Sequence, residues 1–554
     1  MVEAARESRL TASFSSLDIM VIRFLPLVVW LAAPVGHLAA QAAPDTAATS
    51  RRVKAILIET SDVYRPDQAK SFLARAVNGV HFTTRPGVVR REILIRPGEL
   101  YDSARAAESE RTLRSMRIFR QVRVDSIRTD SGLVVRATTQ DAFTTLVEGT
   151  FKGSFKANNW AVGLSELNLL GTATRVGVRY RKGKDRDGIT TSFARDRLID
   201  NRIGITGFYD VRSDGRSFYG ATWLPFWSYS ARGSWFVSGE ERRERVLRFV
   251  EGDTSKPREQ LQRRLWLGKV GAAWALRTSS AGYTRAGFEG QLRRDDFARQ
   301  DRVDTLGHSV SAALTGYAEW RAARFLVSRN FQGFGRQEDI DLSTVLRIGL
   351  GVTPKSFGYR DNGVVPGVSA RAGLGWRNGF ALVSGAAMAR IAETGWVDSG
   401  SVHLGATVVV RPRPSQMAVL HAAHGWQKNP APGAEFDLGV GVGPRGFYEH
   451  AFTGDRAFLL AAEYRLTLTS DFLNSAGLGL AAVADYGGAW YAGSRRRTGY
   501  AIGAGLRFGL TVGSDLSPAR LDLVYSNGSA PIKGGWSLAF GKGFVFNTSG
   551  RLDR

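Results

Sequence analysis

The C-terminal three-quarters of this chain alternates. In residues 457–468, Phe458, Leu460, Ala462, Tyr464, Leu466 and Leu468 take one set of alternate positions, and Glu463, Arg465 and Thr467 the other. Near the end, Tyr500, Ile502, Ala504, Leu506, Phe508 and Leu510 face away from Ala501, Gly503, Gly505, Arg507 and Gly509. Successive strand side chains point to opposite faces, so these are strands with one apolar and one polar or small side. Similar segments recur from about Phe143 onward, between polar and often basic loops. After the N-terminus no apolar run reaches the roughly 18 residues of a membrane helix. A mean hydropathy of −0.16 looks soluble. Barrel strands, however, span with about 10 alternating residues and leave the average low.

The expected fold is membrane all-β: a roughly 16-stranded transmembrane β-barrel over residues 142–546, at about 25 residues per strand and loop, preceded by one small α+β domain. An open sheet edge cannot face hydrocarbon, because each unpaired backbone group there costs several kcal/mol. The first strand, near residues 145–155, must therefore meet the last, near 535–546. On the last strand Trp536, Leu538, Phe540, Phe544 and Phe546 are expected to face outward, interrupted by Lys542. Gly541 and Gly543 are poor strand formers. They fit either a seam that opens or simple curvature.

Upstream, residues 1–42 read as a secretory signal, with Met20 as the expected start. Arg23 is followed by the apolar run 24–33 and small residues around Ala39, Ala40 and Ala42. Residues 43–50 form a polar linker. Residues 51–141 read as a compact α+β unit. Strands are expected at 53–59, around Val122–Ile127, and at 133–139. Helices are expected at 85–94 and 103–119, with Pro86 near the start of the first, and an added helix at 67–76. Residues 547–554 are a polar tail.

Late in the chain, Gly443-Pro444-Arg445-Gly446-Phe447 lies in a loop between strands. One strand further on, Asp485 shares a face with Gly477, Gly479 and Ala481. Arg445 is expected to fold back into the lumen and pair with Asp485. The residues alone also allow another luminal carboxylate as partner. Residues 441–446 match G-x-G-x-x-G, but a loop and an amphipathic strand follow where a nucleotide site needs a helix.

These residues carry a family resemblance. Arg445-Gly446-Phe447 before a strand, with Asp485-Tyr486-Gly487 ending the next, resembles the BamA-like (bacterial surface antigen) superfamily of outer-membrane assembly and translocation barrels. Pro444 stands where the family usually has Val or Ile. Residues 84–92, 97–102 and 119–122 resemble a POTRA domain, residues 161–172 an early barrel segment, and the aromatic end the closing strand of outer-membrane barrels. The resemblance implies a bacterial outer-membrane location, with the POTRA domain in the periplasm. It implies assembly or translocation of other polypeptides, received through the POTRA domain and inserted or passed at the seam. Arg445, Gly446, Phe447 and Asp485 would anchor the luminal loop. A dedicated exporter of one secreted partner and a passive pore are the alternatives; a single POTRA domain argues mildly against the exporter.

A net charge of +24 favours an anionic surface. For a secreted chain that is anionic lipid of the outer membrane rather than nucleic acid. Extended polypeptide clients and periplasmic accessory proteins complete the expected partners. The absence of cysteine excludes disulfides and thiolate metal sites. No catalytic constellation stands out, no G-x-S-x-G is present, and neither a cofactor nor a metal is implied. His421 and His424 are expected on different strand faces. The charged runs 240–245 and 293–302 read as solvated outer loops or as contacts to lipid phosphate.

Overall fold

The computed structural model describes residues 52–546, except 131, 153–158, 199–201, 250–256, 300–304, 336, 440, 473–474 and 516. The expected signal, linker and polar tail lie outside the described residues.

The N-terminal unit begins with strand β1 (Val53–Ser61). Helix α1 (Phe72–Val80) follows, capped by Ser71, whose hydroxyl accepts from the Ala74 N–H. It lies a few residues beyond the expected 67–76. Helix α2 (Pro86–Glu92) opens on its proline, where the missing N–H costs nothing. Helix α3 (Ser103–Ser115) is capped by Asp102, which accepts from Ala104 and Arg105 N–H groups. It stops short of Phe119, which instead starts strand β2 (Phe119–Thr129). Strand β3 (Gly132–Asp141) completes a sheet of order β1-β3-β2, with β1 and β3 parallel and β2 and β3 antiparallel. Val89, Ile95, Leu113, Ile118, Phe119 and Val135 fill the core between helices and sheet.

The rest is an antiparallel ring. Its strand order closes on itself, with the last strand (Gly535–Lys542) beside the first (Thr145–Lys152). A residue-by-residue register runs through the other neighbouring pairs. Among the described residues, none is defined at this last junction.

The ring holds 20 strands among the described residues, not the roughly 16 expected. Connections at one end are as short as the turn between paired Trp376 and Gly379, so each strand consumes fewer residues than supposed. Of the run 293–302, residues 293–299 lie inside a strand (Gly282–Arg299) and the others lie outside the described residues, and the run 240–245 also lies inside a strand (Gly233–Arg248) rather than a loop. Its charges pair across strands, so the ladder continues past the apolar band.

Outward positions are apolar and exposed, as at Leu460, Tyr464, Ile502, Leu506 and Trp536. Inward positions carry buried polar groups. His421 faces in at 3% exposure and His424 is only partly buried, on the opposite face.

Candidate functional site

The lumen is not an open channel along its C-terminal wall. Three segments fold into it. From the end away from the α+β unit comes the loop between strands Phe436–Leu438 and Phe452–Gly454. From the other end comes a hairpin of strands Phe325–Arg329 and Gln337–Asp341. The third is the chain end after Lys542.

Arg445 sits on the first of these and is 3% exposed. Its Nη1 donates to Asp485 Oδ1 at 3.0 Å, and its backbone N–H to Asp485 Oδ2 at 3.0 Å. Its Nη2 donates to Glu463 Oε2 at 2.9 Å. Its Nε lies 3.4 Å from Asp522 Oδ2. The expected pair is therefore part of a larger set. Glu463 also accepts from Arg465 Nε at 2.5 Å and Arg507 Nε at 3.1 Å. Asp522 accepts from Arg507 Nη1 at 2.6 Å and Arg520 Nη1 at 3.4 Å. Glu463, Asp485, Arg507 and Asp522 come from four successive strands: Arg456–Phe472, Ala476–Trp490, Gly499–Leu510 and Ala519–Gly528. One loop arginine thus ties together one wall of the ring. Four guanidinium groups face three carboxylates, all buried, so losing a carboxylate adds to an existing positive excess, and losing Arg445 leaves Asp485 buried without its ion-pair partner.

Gly446 and Phe447 explain how the loop fits. Gly446 has φ +79, and a Cβ there would meet Ser537 Oγ at 2.9 Å and Ser526 at 3.0 Å; only glycine satisfies both conditions. Phe447 is 3% exposed, packs edge-on to Phe452, and lies over the bare backbone of Gly499 and Gly528. The loop enters across a cis Gly443–Pro444 peptide, and the arginine still reaches its carboxylates.

The expectation for the chain end needs correction. Trp536 is exposed on the last strand, with Leu538 and Phe540 partly so. Phe544 and Phe546 do not continue that outward row. The strand ends at Lys542, whose Nζ meets Asp515 Oδ2 at 2.9 Å, and Gly543 at φ +63 turns the chain inward. Phe544 then packs on Phe331 and under the Arg465 guanidinium, and Phe546 stacks on His421. Both rings find partners in the lumen that a lipid-facing row would not supply.

The hairpin went unread in the sequence. Glu338 accepts backbone N–H bonds from Phe331, Gln332 and Gly333, which shapes the tip. Phe334 lies against Gly477 and Gly509, where an added Cβ would sit 2.2 and 3.0 Å from its ring. The inward glycines leave space that this phenylalanine fills. At its base, Asp339 receives Arg114 of α3 through Nε at 2.6 Å and Nη2 at 2.8 Å. The signals were a locally apolar Phe331–Phe334 tip and an acidic Gln337–Asp341 strand, neither distinctive without the partner surfaces.

A second cluster lies among the loops at the far end. His450 donates from Nδ1 to Asp437 Oδ2 at 2.7 Å and from Nε2 to Asp185 Oδ2 at 2.7 Å, and stacks on Phe249. Burial pushes its pKa down, but the two carboxylates outweigh this and hold it up at about 9. Asp185, Glu449 and His450 could converge on a cation, yet both nitrogens of the imidazole are already engaged.

A closed antiparallel ring with apolar outer positions, a polar inner face and luminal plugs defines the class as an outer-membrane-type β-barrel. No protein-family model matches the chain. Over 157 residues it is 27% identical to "Outer membrane protein assembly factor BamA" of Neorickettsia risticii (strain Illinois), which is 27% of this chain and 21% of that protein. The chain thus matches about a fifth of the length of that relative. Similar solved structures include CdiB from Escherichia coli (TM-score 0.45, 11% identity, 94% of this chain and 96% of that one). BamA from Haemophilus ducreyi lacking POTRA domains 1–3 has TM-score 0.37 at 10% identity, over 89% and 84%. The sequence relationship is with the BamA-like superfamily of outer-membrane β-barrels.

Proposed function

We propose that this chain is an outer-membrane assembly or translocation factor. Its α+β unit, read as a POTRA domain in the periplasm, receives extended polypeptide clients, and its barrel seam inserts or passes them. The observation that carries this reading is the junction of the last and first strands. The last strand has 8 residues, ends at a glycine turn, and sends its aromatic tail into the lumen. Such a junction opens at less cost than the long ladders elsewhere in the ring. In the α+β sheet the strand order β1-β3-β2 leaves β1 and β2 at the edges, where an added client strand finds main-chain partners. The name of the BamA relative supports assembly rather than catalysis.

The passive-pore reading is disfavoured by the plugged lumen, where Phe331, Phe380, Phe447, Phe452, Leu459 and Phe546 belong to one buried apolar cluster. Depletion followed by an inventory of the outer-membrane proteome tests the proposal. Selective loss of other membrane proteins is expected. Loss of one secreted protein alone would favour the dedicated exporter, and an unchanged inventory would contradict both. Since the chain has no cysteine, a unique cysteine pair across strands Thr145–Lys152 and Gly535–Lys542 adds a second test: locking it should abolish activity, and reduction should restore it.

A further inference from the structure

The outer wall carries a row of arginines that the luminal site does not use. On the outward face of three neighbouring strands, Arg243 is directly paired with Arg216 on one side and Arg264 on the other. One outward step down on the next strand, Arg294 pairs with Trp266. Like charges directly opposite on a sheet are destabilising unless something neutralises them. Glu241 bridges Arg216 and Arg243, each at 3.1 Å, and Arg294 meets Asp296 at 3.1 Å. Arg264 has Asp296 opposite it on the next strand but no carboxylate within ion-pair distance among the described residues. Four cations against two anions leave the patch positive.

Its height matters as much as its charge. On strand Glu259–Ser279 the outward positions run Trp274, Ala272, Val270, Gly268, Trp266 and then Arg264. Trp266 and Trp274 bound an apolar stretch of about 27 Å along the strand, or about 20 Å of height at a barrel tilt near 40°. Phe218 and Tyr209 are exposed at the Trp266 level. The arginine row lies at the edge of this aromatic girdle, with Arg216, Arg243 and Arg264 one outward position beyond it, where lipid headgroups sit, and Arg294 level with Trp266. It is also at the end away from the α+β unit, which contacts the opposite turns through Glu92–Arg197 and Glu108–Tyr229.

We propose that Arg216, Arg243, Arg264 and Arg294 bind the phosphate of a phosphorylated lipid headgroup in the leaflet at that end of the barrel. Guanidinium forks match phosphate oxygens in pairs, and one anion seated over the row removes the repulsion that the bare sheet carries. This rests on the reading of the ring as membrane-spanning.

The test uses the full chain in phosphatidylcholine nanodiscs, titrated with bisphosphorylated lipid A or its dephosphorylated form, with bound lipid counted by native mass spectrometry. Retention of the protein in the disc reports on the spanning reading separately from lipid choice. Wild type is expected to bind the phosphorylated lipid at least tenfold more tightly than the dephosphorylated one, and the variant Arg216→Gln/Arg243→Gln/Arg264→Gln to bind both alike. Should that variant not fold, Arg264→Gln alone is expected to lose threefold or more. Equal affinity of wild type for the two lipids, or undiminished preference in either variant, would overturn the proposal. So would full competition by inorganic phosphate, which would point to a free-anion site.

Discussion

Arg445 joins a loop to carboxylates on three strands with its guanidinium shielded from water. Breaking one partner out of such a buried set costs roughly 3–5 kcal/mol, far more than an exposed pair. Arg445→Ala should therefore undock the loop while the ring persists. Limited proteolysis should cut between Leu438 and Phe452 roughly a hundredfold or more faster than in wild type, and Arg445→Lys, which keeps charge but loses the fork, should fall between. An unchanged cleavage rate would remove the anchor role. His450 gives a pH-dependent counterpart. Its folded pKa near 9 exceeds the unfolded value of 6.5. The stability it contributes is complete below about pH 6.5 and is lost as pH rises through about 9. Melting temperatures of wild type and His450→Gln should differ most near pH 6 and converge by pH 10. The pairing of Arg445 with Asp485 was legible because alternation put Asp485 on the inner face and the motif marked the loop. Glu463 and Arg507 were equally visible as charges on a polar strand face, whereas the strand that carries Asp522 was not read. Nothing local told which of several inward charges would meet.

At the level of elements, alternation located strands well wherever one face meets lipid, because period two is then enforced along the whole span. It failed where the chain leaves the wall. Phe544 and Phe546 keep the parity of Trp536, Leu538 and Phe540, yet Gly543 breaks the strand and inverts their destination. The hairpin of residues 325–341 was missed for the same reason, since its burial is set by Gly477 and Gly509 more than 130 residues away. That hairpin touches both the α+β unit, through Arg114–Asp339, and the inward tail, through Phe331–Phe544. Reversing the salt bridge at one end, with Asp339→Arg or Arg114→Asp, should raise hydrogen exchange across residues 325–341. The double reversal should restore protection. Equal exchange in wild type and in the single and double variants would show that the contact does not hold the hairpin.

For the whole molecule, composition excluded thiol chemistry and the hydropathy average left lipid immersion open; the strand pattern decided between them. The ring order closes, yet its strand number exceeded expectation, because counting by average connection length ignores how tight the turns are at one end. The luminal plugs, the short last strand and the outward apolar belt belong together only if the outside of the ring meets hydrocarbon. The most direct measurement is the behaviour of the purified chain with and without detergent. The account predicts that it aggregates in plain buffer and, in detergent, runs as a compact, heat-modifiable species rich in β-structure. A monodisperse protein in plain buffer, with the same β content and cooperative unfolding, would contradict it.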